Sequence, residues 1–111
     1  MESKHNRIKQ VLKEFPFIRD IDDFRIEELC ERTDILSFKA GDIILRKGEP
    51  CHKGLYLIIK GKIEVVNPDT GLSYFVEKND IVGITAFIGR RTYAVTATCV
   101  EDSEVIFLPD I

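Results

Sequence analysis

The sequence predicts a mostly β fold: an antiparallel β jelly roll (double-stranded β-helix) preceded by N-terminal helices. Three observations lead there. Apolar residues recur at helical spacing in the head of the chain, before Asp34. From Asp34 onward, short β-rich runs alternate with turn signals. Those runs are evenly spaced and punctuated by Gly, Pro, Asn and Asp, the pattern of antiparallel sandwiches, barrels and jelly rolls.

The head, residues 1–33, reads as two helices. Ile8, Val11, Leu12 and Phe15 share one helical face, and Pro16 ends that helix because its ring and missing N–H cannot continue it. Asp22 is placed to cap a second helix, with Ile21 and Ile26 at the positions of a hydrophobic staple. Ile26, Leu29 and Cys30 give this helix its apolar face, and it should end near Thr33. Residues 34–111 form the β body, and head and body together make one structural domain.

The β-rich runs are Ile35 to Phe38, Ile43 to Leu45, Leu55 to Ile59, Ile63 to Val66, Leu72 to Val76, Thr92 to Cys99 and Val105 to Leu108. Between them stand Ala40-Gly41-Asp42, Lys47-Gly48-Glu49-Pro50, Lys60-Gly61-Lys62, Asn67-Pro68-Asp69-Thr70-Gly71 and Lys78-Asn79-Asp80. Ile63 and Val65 face one way and Lys62 and Glu64 the other, so that strand is half covered. Leu55 to Ile59 is apolar on both faces and belongs at the centre of a sheet covered on both sides. The single turn of helix expected near residues 83–88 follows from the glycine and small residues there.

Composition narrows the function classes. The chain has 111 residues, 44% hydrophobic and 32% charged, which is material for one globular core. A net charge of −3 speaks against direct binding to nucleic acid or to an anionic membrane surface. No apolar run approaches the roughly 20 residues of a membrane span. Met1-Glu2-Ser3-Lys4-His5 does not open an apolar signal core, so the cytoplasm is the expected compartment. Cys30, Cys51 and Cys99 are odd in number and far apart, with no CxxC pair, which fits idle thiols better than a disulfide framework or a zinc site.

Residues 81–99 carry the chemistry. Ile81 to Gly89 holds no charge, Arg90 and Arg91 follow together, and Thr92 to Cys99 is again uncharged. Two guanidiniums in so apolar a stretch either meet an anion or reach solvent along their stems. A helical turn starting after Gly83 offers free backbone N–H groups to an anion, and an arginine a few residues later can fork onto it. The residues leave both readings open: an anion cradle, or two solvated arginines on a loop.

Beyond these patterns, the body resembles the cyclic nucleotide-binding domain family. Phe38-Lys39-Ala40-Gly41-Asp42-Ile43-Ile44 is similar to that family's opening strand and turn. Gly48-Glu49-Pro50, Leu55-Tyr56-Leu57-Ile58 and Gly61-Lys62-Ile63 resemble its central hairpin. Asn79-Asp80-Ile81-Val82-Gly83 resembles the lead into its phosphate cassette, Arg91-Thr92-Tyr93-Ala94-Val95-Thr96-Ala97 the cassette's end, and Glu101-Asp102-Ser103-Glu104-Val105 the final hairpin. The resemblance implies a ligand site formed by Gly83, Ile84, Thr85, Ala86, Arg91, Thr92 and Tyr93. In it Gly83 lets the backbone approach, Thr85 and Ala86 present N–H groups to a cyclic phosphate, Arg91 pairs with its charge and Thr92 donates nearby. The implied ligand is a cyclic nucleotide (cAMP or cGMP) or another small anion.

The chain departs from the family pattern at several of these positions. Ile84 stands where the family usually has a glutamate that accepts from the ribose hydroxyl. Arg90 replaces the usual proline, Tyr93 stands where a small residue is usual, and the stretch from Ile88 to Arg91 is shortened.

Other constellations carry less. Cys51-His52 has no third ligand near it in sequence and reads as a turn with two incidental residues. With His5 and His52 the only histidines, in unrelated settings, a metal-dependent enzyme of cupin type is a poor fit. Asp22-Asp23 and Glu27-Glu28 complement a helix dipole. Pro109-Asp110 reads as a strand stop and a cap for a further helix, which in the family closes over the ligand and often makes the dimer. The expectation is a non-catalytic, metal-free regulatory or sensor domain of cyclic nucleotide-binding type. It would control an output domain beyond residue 111, with a homodimer as one possible state. The alternative is a module that has lost its ligand and serves protein–protein interaction or dimerisation.

Overall fold

A computed structural model of the chain describes residues 4–15, 22–52, 54–89 and 92–109. Its elements are α1 (Lys4–Lys13), α2 (Asp23–Arg32), β1 (Asp34–Phe38), β2 (Ile43–Leu45), β3 (Gly54–Lys60), β4 (Ile63–Val66), β5 (Ser73–Val76), β6 (Ile81–Val82), α3 (Ile84–Gly89), β7 (Thr96–Cys99) and β8 (Ser103–Pro109). The strands form two four-stranded sheets with orders β1-β8-β3-β6 and β2-β7-β4-β5, and the neighbouring strands in both run antiparallel. This is the mostly β roll with helices in front that the sequence predicts.

Two apolar layers hold it together. The inner faces of both sheets meet in one cluster that includes Leu45, Tyr56, Ile58, Ile63, Val65, Val82, Ala97 and Val105. A second cluster lies on the outer face of the first sheet, where Leu55, Leu57 and Ile106 receive Ile8, Leu12 and Phe15 from the α1 segment and Ile26, Leu29 and Cys30 from α2. Strand β3 serves both layers, which is why its sequence is apolar on both faces. In β4 the alternation is one-sided: Ile63 and Val65 are buried while Glu64 and Val66 are partly exposed.

Helix α2 begins where the sequence places it. The Asp22 side chain accepts from the Arg25 N–H at 3.0 Å, and Thr33 ends the helix with its hydroxyl donating to the Leu29 carbonyl. Ile21 and Pro16, which carry the expected staple and the first helix stop, lie outside the described residues.

Among the strands, three runs differ from expectation. The run Leu72 to Val76 pairs only from Ser73, leaving Leu72 exposed. A two-residue strand, β6, pairs Val82 with Tyr56 and Ile81 with Leu57, and too short a strand shows no period to read. Within the run Thr92 to Cys99, only Thr96–Cys99 joins a sheet. The backbone of Tyr93 is spent elsewhere: its N–H donates to the Glu49 carbonyl and its C=O accepts from Gly48, both at 2.9 Å.

Candidate functional site

The segment between β6 and β7 is built by one turn and one short helix. Gly83 adopts φ +92°, in the left-handed region that a residue with a side chain enters only at a cost. A Cβ there would meet only ordinary contacts, Tyr93 Cε1 at 3.5 Å and Leu45 Cδ2 at 3.6 Å, so conformation and not space requires the glycine. The turn redirects the chain from β6 into α3, a six-residue helix rather than the single turn expected. Ile84 and Thr85 are its first residues, where backbone N–H groups have no partner within the helix. Ala86 is buried in the inter-sheet cluster, whereas Ile88 is 74% exposed. The helix therefore covers one end of the inner core with its small residue.

Beyond α3 the description resumes at Thr92, which bridges Pro50 and is exposed. Tyr93 turns inward and is 2% exposed. Its phenol oxygen accepts from the His52 N–H at 2.9 Å, and the His52 ring stands edge-on to it with centroids 5.0 Å apart. His52 Nδ1 shares a 2.8 Å hydrogen bond with the hydroxyl of Tyr56, whose ring in turn packs on Phe107. His52 thus ties together two tyrosines 37 residues apart in sequence, and it is no incidental turn residue. The contact with Tyr93 could not be read from local sequence, because Tyr93 lies 41 residues from His52.

The electrostatics of this group follow from its burial. Burial pushes the Tyr56 phenol up to about 12, helped by the nearby Tyr93 phenol, the Cys51 thiol and Glu49. Burial also raises Tyr93, against the lowering effect of the hydrogen bond from His52. Both phenols are neutral over the physiological range. Cys30, Cys51 and Cys99 carry free thiols, and among the described residues no group of three or more His, Cys, Asp or Glu side chains is placed to hold a metal ion.

The structure thus brings Gly83, Ile84, Thr85, Ala86, Thr92 and Tyr93 to one end of the roll. Arg91 and its neighbour Arg90 lie outside the described residues. The resemblance implies an anionic group at the glycine turn and the start of α3, and it implies a glutamate at position 84, where this chain has isoleucine. Among the described residues no helix is long and apolar enough to cross a membrane.

Comparison with known proteins bears on this geometry. Residues 35–110 match the family model described as the cyclic nucleotide-binding domain. The chain is 27% identical over 112 residues to a cAMP-dependent protein kinase regulatory subunit of Dictyostelium discoideum, covering 95% of this chain and 34% of that protein. Among solved structures, the regulatory subunit of a cAMP-independent protein kinase A from Trypanosoma cruzi, bound to guanosine, superposes with a TM-score of 0.83 at 21% identity, covering 95% of this chain and 39% of that one. The sensor domain of the transcriptional regulator DNR from Pseudomonas aeruginosa superposes with a TM-score of 0.80 at 20% identity, covering 90% and 72%. These likenesses establish the fold, and this chain spans about a third of the length of the kinase regulatory subunit it matches.

Proposed function

The chain belongs to the cyclic nucleotide-binding domain family, and from that premise we propose that it is a non-catalytic regulatory domain whose ligand site lies at Gly83 to Tyr93 and which controls an attached output domain. The observation that carries the reading is the family match over residues 35–110 together with Gly83 at φ +92° directly before a helix start. The ligand proposed is a nucleotide or another small anion. A phosphate at the turn would accept from the first N–H groups of α3, and Arg91 would supply the fork of donors that neutralises it. No acidic residue lies between Ile81 and Val100, so no carboxylate close in sequence competes for that arginine. Relatives named as kinase regulatory subunits and ion channels favour a role in which binding here is read by another domain.

Isothermal calorimetry with cyclic AMP, cyclic GMP, guanosine and inorganic phosphate tests the reading. Arg91→Ala should abolish binding of whichever anion binds and leave the melting temperature nearly unchanged. Arg90→Ala, one residue away with the same charge, should do little. Loss of folding in Arg91→Ala would make the arginine structural, and equal weakening by both substitutions would reduce the site to a diffuse positive patch.

A second reading is favoured by Ile84 and by the buried Tyr93: a domain that keeps the family's roll without its ligand and serves as an interaction module. It predicts no heat with any of the four compounds.

A further inference from the structure

The backbone of β5 can be accounted for group by group. The Asn67 N–H donates to the Leu72 carbonyl and the Val100 N–H to the Lys62 carbonyl, both at 2.8 Å. Bonds along β4 alternate sides, so Ile63 and Val65 bond to β5 while Glu64 and Val66 bond to β7. Val76 and Tyr74, opposite Ile63 and Val65, therefore spend their N–H and C=O groups on β4. Both ends of the strand are closed. The Leu72 N–H donates to the Thr70 hydroxyl, the Glu77 N–H donates to the Asp80 carboxylate, and the Glu77 carbonyl accepts from the Asp80 N–H. What is left are the N–H and C=O groups of Ser73 and Phe75. They face away from β4, and β5 is the edge of its sheet, so among the described residues nothing bonds to them.

The same stretch is apolar. Leu72, Tyr74 and Phe75 are 71%, 59% and 53% exposed, three of the seven large apolar side chains exposed among the described residues. Phe75 lies on the outer face beside Glu64, with Lys62 Nζ 4.5 Å from its ring centroid. The other sheet edges offer less. Strand β2 is broken by a register shift between Ile43 and Leu45, β6 has two residues, and β1 exposes only Leu36 among its large apolar side chains. An open edge takes up a further strand unless a proline, a bulge or a charge prevents it, and Ser73–Val76 carries none of the three.

We propose that β5 pairs antiparallel with β5 of a second copy of this chain, about a two-fold axis at Tyr74. In that register Ser73 of each copy faces Phe75 of the other, and the four open groups on each chain close four hydrogen bonds. A slip of two residues sets Phe75 opposite Gly71, or Ser73 opposite Glu77. The N–H groups of Gly71 and Glu77 are already spent, so an open carbonyl on each chain would stay unpaired. Side chains agree with the same register. Ser73 leaves room for the Phe75 ring, the two Tyr74 side chains form the close non-bonded pair, and no charge opposes a charge from Leu72 to Val76. This self-complementarity singles out a second copy among possible strands. Strand β5 offers four residues, against about 20–30 on each side of a standard interface, so the dimer is weak and reversible. It forms whether or not Gly83 to Tyr93 binds a ligand.

The test uses the whole chain in sedimentation velocity from about 10 µM to about 1 mM, the range suited to an interface below standard size. The wild type should pass from monomer toward dimer as concentration rises. Tyr74→Lys sets like charges against each other at the axis, and Ser73→Pro removes an N–H that β4 does not use. Both should stay monomeric with the circular dichroism of the wild type. Cross-linking reads the register. Under mild oxidation Tyr74→Cys should form a disulfide dimer at least about tenfold faster than Ser73→Cys, because residue 74 alone faces its own copy, at about 4.5 Å between Cα atoms. A wild type that is monomeric throughout overturns the pairing and leaves the edge to a strand of another protein. A dimer that survives Tyr74→Lys lies on another surface and overturns it as well. Equal cross-linking rates for the two cysteine variants overturn the two-fold at Tyr74, and the proposal with it.

Discussion

Tyr56 and Tyr93 share one environment, and it sets how the protein responds to alkali. Both phenols are raised by burial, Tyr56 to about 12 from an ordinary value near 10. The folded chain therefore holds protons that the unfolded chain has already lost above about pH 10. Stability from this source is fully present below pH 10 and falls as pH rises toward about 12. Urea midpoints across that range should decline in step with the appearance of tyrosinate absorbance. Constant midpoints up to pH 12 would mean the phenols are not held neutral by the fold. At position 84 the expected change is a gain in binding. A carboxylate there restores the acceptor that the family resemblance assigns to a ribose hydroxyl. Such a bond is worth roughly 1–3 kcal/mol, about one to two decades of affinity. Ile84→Glu should tighten cyclic AMP binding by that much and leave phosphate binding unimproved, as measured by calorimetry. Equal effects on both compounds would place residue 84 away from the sugar.

At the scale of elements, α2 offers the clearest test of a local signal. Its cap is a single side chain, Asp22, bonded to the Arg25 N–H at 3.0 Å. Replacing an N-cap aspartate by alanine typically costs about 1 kcal/mol. Asp22→Ala should lower the chemical denaturation free energy by that amount, while Asp22→Asn, which keeps an acceptor, should stay close to wild type. The cap was legible because its pattern lies within a few residues, as was the one-sided burial of Ile63 and Val65 in β4. The covering of β3 on both faces was legible from the apolar run Leu55 to Ile59. What escaped was set by distant partners. The run from Thr92 has strand composition, yet Tyr93 gives its backbone bonds to Gly48 and Glu49 and its side chain to the core. The pair Ile81–Val82 becomes a strand only because Tyr56 and Leu57 lie alongside it. Of the candidate site, the glycine turn and the helix start could be read from sequence. The tyrosine–histidine group beneath them could not.

At the scale of the molecule, the first sheet is covered on both sides, and this decides what the N-terminal head contributes. On its outer face Leu57 and Ile106 are fully buried, against Ile8 at 1%, Leu12 at 0% and Phe15 at 1% exposure. The ion pair between Arg7 and Glu104, 2.8 Å long and solvent-exposed, ties the same surfaces but contributes less than about 1 kcal/mol. Apolar packing therefore governs the attachment. Truncating one such leucine costs about 2–5 kcal/mol, against a total stability of about 5–15 kcal/mol for a domain of ordinary size. Leu12→Ala should thus weaken the whole domain by several kcal/mol, and deletion of residues 1–33 should leave the sheet unable to fold cooperatively. The three tyrosines, Tyr56, Tyr74 and Tyr93, all lie in the β body. Their fluorescence reports the roll alone, while the helical circular dichroism comes mainly from α1 and α2. In the intact chain the two signals should fall together with denaturant, as one cooperative unit requires. In residues 34–111 alone, tyrosine fluorescence should drift without a sigmoidal transition. A cooperative transition there at the wild-type midpoint would mean that the head is an appendage and that the roll's inner core suffices.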